Sequence, residues 1–238
     1  IDNNHVTTEI VDANNAAPLE HHEPQLQTAD GATASITDGQ DAAADHSHGG
    51  DGHDVLIGDG IDAAAYSQLV SHQGEDLLQY LGQHSAELLA ASQQSASHEL
   101  HGGAGDDVLI AGHGAQLLEG GAGADTFAYL LDSNDAASWN EPSRILDFNP
   151  QEGDRIVLAG GEHLKAEVSH DASGQHLHVT DDAGHSRTID IGVQNGKTLT
   201  AEDILSHVEI RTPQGYSEPA SSVPQTHHLP QDDHSHLI

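Results

Sequence analysis

Three nine-residue stretches limit what this chain can become. Gly49-Gly50-Asp51-Gly52-His53-Asp54-Val55-Leu56-Ile57, Gly102-Gly103-Ala104-Gly105-Asp106-Asp107-Val108-Leu109-Ile110 and Gly120-Gly121-Ala122-Gly123-Ala124-Asp125-Thr126-Phe127-Ala128 all fit G-G-x-G-x-D-x-U-x, with U a large apolar residue. The last two start 18 residues apart, twice nine. The stretch between them, 111–119, keeps Gly112, Gly114 and Leu118 in register but carries Gln116 in place of the Asp. At ordinary glycine usage three fixed glycines alone recur at roughly 3 in 10,000 positions, so three matches with Asp and U also in place are not chance.

The spacing has a physical reading. Glycines permit a tight turn with positive φ and a close approach of carbonyl oxygens. The Asp after the turn aims a carboxylate into the same space, and the residues that follow form a short strand with U facing inward. Two nonapeptides complete one coil, so rows two apart stack on the same side. Asp107 and Asp125 then lie one above the other, with room for a cation that takes oxygen from both turns. Oxygen-only ligation with many backbone carbonyls suits Ca2+ better than Zn2+ or Mg2+. The candidate ligands are Gly49, Asp51, Asp54, Gly102, Gly103, Gly105, Asp107, Gly120, Gly121, Gly123 and Asp125. Which row stacks on Asp54 is open, because Gly58-Asp59-Gly60-Ile61-Asp62 is degenerate. Asp51 and Asp106 read as outer ligands or as solvated turn acids, and Asp147 and Asp154 as turn caps or a further site.

Charge narrows the function classes. The 238 residues hold 6 Lys+Arg against 39 Asp+Glu, a net charge of -33. Self-repulsion on that scale opposes compaction unless cations are taken up, and it argues against nucleic acid and anionic membranes as partners. With hydrophobic residues at 35% and aromatics at 3%, part of the chain is expected to be disordered. The absence of cysteine removes disulfides, zinc-thiolate sites and thiol catalysis. No apolar run is long enough for a transmembrane helix, so no membrane insertion is expected. Ile1 is not a start methionine and no signal peptide follows it, which reads as a piece of something longer.

Along the chain, residues 1–48 read as a disordered linker and 49–128 as a short roll with a helical insert at 62–97. In the insert Leu69, Val70, Leu77, Leu78, Leu81, Leu88 and Leu89 share one face, expected to pack on the neighbouring sheet, and Gly74 and Gly82 can split it into two helices. Residues 129–210 read as an antiparallel β segment, with strands at 144–148, 155–158, 166–169, 176–180 and 188–193. A short helix is expected at 201–207, capped by Thr200 with Asp203 three residues on. Residues 211–238 read as a flexible tail interrupted by Pro213, Pro219, Pro224 and Pro230.

The 21 histidines include His46-Ser47-His48, His176-Leu177-His178 and His234-Ser235-His236, each a chelate geometry for a transition metal or simply polar filler. No catalytic constellation stands out. G-x-S-x-G, H-E-x-x-H and the P-loop are missing, and Asp181-Asp182 sits in a polar turn, so the chain reads as not an enzyme.

The nonapeptides resemble the calcium-binding RTX repeats of proteins exported by bacterial type I secretion. The helical insert between rows, Gly123-Ala124-Asp125-Thr126-Phe127, Ile145-Leu146-Asp147-Phe148-Asn149-Pro150 and Glu152-Gly153-Asp154-Arg155-Ile156 together resemble the C-terminal target region of large RTX adhesins, over about residues 49–210. The resemblance implies a mainly β fold, a parallel β-roll that folds on extracellular calcium, and an uncleaved C-terminal signal in 211–238 read by a type I exporter. It also implies a secreted or cell-surface adhesin of a Gram-negative bacterium, active in adhesion and biofilm, whose upstream domains meet host or bacterial surface ligands. Two alternatives are the C-terminal tail of a secreted hydrolase with its active site upstream, and a ligand-binding module of the adhesin.

Overall fold

The computed structural model describes residues 25–27, 33–36, 45–58, 63–69, 71–91, 97–114, 116–140 and 142–217. The chain winds between two facing sheets. After β1 (Gln25–Gln27) and β2 (Thr33–Ile36), the first coil is β3 (Asp45–Asp51) followed by β4 (Val55–Ile57). An excursion through α1 (Ala63–Leu69) and α2 (Gly74–Ala91) returns to the second coil, β5 (His98–Ala104) and β6 (Val108–Ala111). The third coil is β7 (Gln116–Ala122) and β8 (Thr126–Leu131). Then come β9 (Ser143–Phe148), β10 (Arg155–Gly160), β11 (Lys165–Asp171), β12 (Gly174–Thr180), β13 (Ser186–Val193), α3 (Ala201–Leu205), β14 (Val208–Thr212) and β15 (Gly215–Ser217). One sheet runs β1-β2-β4-β6-β8-β10-β14-β15 and the other β11-β12-β13-β9-β7-β5-β3. This is a mainly β protein built on a parallel β-roll.

The repeat explains the stacking. Each coil adds one strand to each sheet in parallel, so equivalent residues form columns. Leu56, Leu109 and Phe127, the U residues, are directly paired neighbours, and the column continues through Ile156 and Val208. All of these are at most 1% exposed. In the facing sheet Leu100, Leu118 and Ile145 form the matching column. The two columns meet in the interior of the roll.

The sheet holding the U column is covered on its outer side too. Ile57, Ile110, Ala128, Leu130, Val157 and Ala159 point away from the roll interior and pack against Leu77, Leu78, Leu81, Leu88 and Leu89 of α2. A sheet buried on both faces needs runs without polar alternation, which is why Thr126–Leu131 is buried throughout. The helical insert does split at Gly74, whose φ is +54°, and its leucine stripe packs on the sheet as expected. Gly82 lets α2 close on β14, since a Cβ there would stand 2.8 Å from the Arg211 Cβ and carbonyl oxygen.

Three boundaries differ from the sequence expectation. Residues 211–217, read as the start of the flexible tail, finish β14 and form β15, because residues 210–212 pair with 215–217. Residues 45–48, read as the end of a linker, open β3, because their backbone pairs with residues 98–101 of β5; β1 and β2 also fall within 1–48. The roll does not stop at 128. β9, β13, β10 and β14 extend the two parallel ladders, and beyond residue 128 the antiparallel pairing is confined to β11-β12-β13 and the β14-β15 hairpin. The apolar columns cause this: Phe127 and Leu118 would otherwise end the stack uncovered. The 201–207 helix is observed as Ala201–Leu205 with the Thr200–Asp203 capping box formed.

Arg187 of β13 ties these parts together. It is 1% exposed, lies 5.0 Å from the Tyr129 ring centre, and donates to the Gly112 and Ser138 carbonyls and to Ser143 Oγ. Replacing it with Met leaves buried carbonyls without donors. We expect Arg187→Met to lower the stability of the calcium-loaded protein by about 3 kcal/mol, measured by denaturant titration; a change under about 0.5 kcal/mol, the size of an ordinary surface substitution, would contradict this role.

Candidate metal centre

The three perfect rows place their glycine turns on the same side of the roll, where the chain passes from β3 to β4, β5 to β6 and β7 to β8. The row of Asp54 stacks directly on that of Asp107: Gly50 pairs with Gly103 and Val55 with Val108. The helical excursion therefore costs the stack no register. Gly103 and Gly105, with φ of +116° and +133°, are conformations that L side chains rarely adopt. A Cβ on Gly105 would stand 1.7 Å from the Gly52 carbonyl oxygen, and Gly121 and Gly123 approach the carbonyls of Gly103 and Gly105 in the same way.

Behind the turns the aspartates form a ladder. The Asp54 N–H donates to Asp107 Oδ1 at 2.8 Å, the Asp107 N–H to Asp125 Oδ1 at 3.0 Å, and the Asp125 N–H to Asp154 Oδ1 at 3.0 Å. The second carboxylate oxygen of each row turns toward the first glycine of that row. A Cβ on Gly102 would lie 2.4 Å from Asp107 Oδ2 and 2.5 Å from the Gly120 carbonyl oxygen. On Gly49 it would lie 2.3 Å from Asp54 Oδ2 and 2.5 Å from the Gly102 carbonyl oxygen, and on Gly120 2.2 Å from Asp125 Oδ2. Each cradle thus gathers a carboxylate oxygen, and in the first two rows also a carbonyl of the next row, where a side chain would otherwise be.

These oxygens fit a hard cation. Asp107 and Asp125 are each 1% exposed, and their Oδ2 atoms are buried with no hydrogen-bond partner among the described residues. A buried carboxylate oxygen without a donor is costly, and bringing several together adds repulsion. Burial pushes Asp107 up to about 7 and Asp125 up to about 6, against backbone hydrogen bonds that pull both down. A dication at the cradles would remove both costs, and Asp54, Asp107, Asp125 and the glycine carbonyls are the groups that would hold it.

Other acids take different roles. Asp154 ends the ladder with both oxygens engaged, by the N–H groups of Asp125 and Asn149, and burial pushes it up to about 7. Asp147 accepts from the N–H groups of Gly120 and Gly121 and is also raised by burial. Asp106 is exposed and clamps the next row by accepting the Ala124 N–H, while Asp51 is exposed at its turn and stands outside the ladder. Asp154, read from the sequence as a turn cap or a further site, caps the Asn149 N–H and also ends the ladder; its row has lost the leading glycine pair and keeps only Asp154-Arg155-Ile156, the D-x-U third of the nonapeptide. On the opposite edge of the roll the equivalent column is His98, Gln116 and Ser143. Asp45 opens that column by pairing with His98, while the hydrogen-bonded aspartate ladder lies on the glycine-turn edge.

Among the described residues, His176 and His178 do not make the chelate their spacing allows. His176 is held by Asp190 and Asp171, and His178 by Ser169 and Thr188. His234 and His236 lie outside the described residues, as does the rest of 218–238.

No curated protein matches the chain. Among solved structures, the AlgE6R3 subunit of the Azotobacter vinelandii mannuronan C5-epimerase is 21% identical, covers 82% of this chain and 90% of its own, and superposes with a TM-score of 0.40. The AlgE6R2 subunit of that enzyme is also 21% identical, over 73% of this chain and 96% of its own, with a TM-score of 0.38. The family model for the RTX calcium-binding nonapeptide repeat matches residues 41–60 and 99–127. These spans hold all three acidic cradles, those of Asp54, Asp107 and Asp125, and over them the chain carries RTX calcium-binding nonapeptide repeats.

Proposed function

We propose that this chain is the calcium-binding C-terminal module of a secreted bacterial RTX adhesin, which directs type I secretion and folds on extracellular calcium. The observation that carries the reading is the ladder Asp54–Asp107–Asp125, whose buried carboxylates are costly to ionise together and are relieved of that cost by a cation. At low calcium the repulsion of a -33 chain keeps the module open and able to thread a channel. At millimolar calcium, the range of extracellular modules, binding energy becomes folding energy. RTX repeats are typical of extracellular or secreted proteins, and among the described residues no helix is long and apolar enough to cross a membrane. The module acts by binding and folding, and the partner it meets first is the exporter.

The export role is tested by truncation. Cutting at Asn149 would remove β10 and Asp154, which belong to the roll, so the informative cut is after Ser217. The chain ending there is expected to keep its calcium-dependent circular dichroism change and to lose secretion from cells carrying the matching exporter. Secretion at the full-length level would overturn the assignment of the export signal to 211–238, of which this cut removes all that follows β15.

A further inference from the structure

We infer that the outer face of the second sheet carries a transition-metal site formed by His46, Glu99 and His101, separate from the calcium cradles. Register builds it. His46 of β3 pairs with Glu99 of β5, and His48 pairs with His101, which in turn pairs with Glu119 of β7. Strand alternation turns these side chains outward while Ser47, Leu100 and Leu118 turn in. His46 Nδ1 lies 2.7 Å from Glu99 Oε2, and His101 Nε2 lies 3.8 Å from the same oxygen. All three ligand atoms fall within 4.8 Å of one another. Ligands about 2.0–2.1 Å from a tetrahedral Zn2+ are spaced by roughly 3.3 Å, so small side-chain rotations close the set.

The surroundings prepare His101 for the task. Its Nδ1 is 2.7 Å from Glu119 Oε2. A carboxylate accepting from Nδ1–H fixes the tautomer that leaves Nε2 as the electron-pair donor, the outer arrangement of many metal-bound histidines. The His48 ring stacks on His101 with centres 4.7 Å apart and planes at 16°, which restrains ring rotation. Side-chain exposures of 54% for His46, 38% for Glu99 and 26% for His101 leave the ligand set open to solvent, with a fourth position for water. Two imidazoles and one carboxylate suit Zn2+, Cu2+ or Ni2+ and do not suit Ca2+. The site joins β3 to β5 across the long helical excursion, so the metal clamps the first coil to the second.

The test uses the full chain in saturating calcium, with Zn2+ as the probe and imidazole nitrogen–proton correlation spectra as the readout. The first equivalent of Zn2+ is expected to move the His46 and His101 signals before those of other histidines, and to raise the melting temperature. His46→Ala and His101→Ala should each abolish this first step and the thermal shift, with calcium-dependent circular dichroism unchanged. His46→Ala, at the more exposed position, keeps the test valid if His101→Ala disturbs the sheet. Glu119→Gln should weaken binding about 10-fold, as loss of an outer partner does. If the first equivalent spreads over the other histidines while His46 and His101 stay in place, or if both Ala variants bind Zn2+ like the parent, the site does not exist.

Discussion

Chelating calcium at pH 8 is expected to convert the β signal of this protein to that of a coil, and acidifying the chelated sample toward pH 4 is expected to restore part of it. The sign follows from the ladder. Burial raises Asp107 and Asp154 from about 3.8 to about 7, and Asp125 to about 6. A carboxyl whose folded value lies above its unfolded one favours folding when protonated. That contribution is complete below about 3.8 and is lost as pH rises through 6 to 7. Across the ladder the loss is on the order of several kcal/mol at neutral pH, comparable with the whole stability of a domain. Calcium reverses the dependence, because it binds the ionised form. The difference in melting temperature between calcium and chelator should therefore be large at pH 8 and shrink toward pH 5. Identical spectra with and without calcium at pH 8 would rule the folding switch out. A calcium-free protein that loses structure on acidification would rule out the buried carboxylates as its cause.

Asp107→Asn separates the two effects of one side chain. The amide can still accept the Asp54 N–H through Oδ1, so the ladder hydrogen bond of 2.8 Å is kept while the charge goes. Calcium affinity is expected to fall more than about 100-fold, beyond the loss caused by outer partners. In chelator at pH 8 the same variant should be more stable than the parent, since it no longer buries a charge without a donor. Asp125→Asn should behave alike, and the double variant should lose less calcium affinity than the two singles added. The Asp107 N–H to Asp125 Oδ1 bond and the stacked rows make the two acids one unit. Calorimetry gives the affinities, and the residual β signal in chelator at pH 8 gives the relative stabilities. Additive losses would assign the two acids to separate sites, and a less stable Asn variant in chelator would show that the buried charge is not what opposes folding.

The nonapeptides by themselves determined the local chemistry. Gly-Gly-x-Gly defines a turn that no L side chain can enter, Asp in the sixth place a carboxylate behind it, and the eighth residue an inward apolar side chain. These are consequences of sequence separations under nine residues, so they were legible row by row, as were the leucine stripe of α2, the break at Gly74 and the Thr200 cap. What required the tertiary structure was everything set by stacking. The row of Asp54 finds that of Asp107 across a 53-residue gap because Leu56 and Leu109 share an interior column, and no local signal counts coils through an insert. Asp154 joins the ladder, and β9, β10 and β14 prolong the roll, because an exposed parallel edge with Phe127 at its centre gains more from another strand than from solvent. Arg187 is buried by contacts to residues 44 to 75 positions away, and His46 meets Glu99 and His101 only through β3–β5 register. Periodicity shows which way a side chain points along its own strand; which neighbour it meets is decided when distant strands settle side by side to close one core.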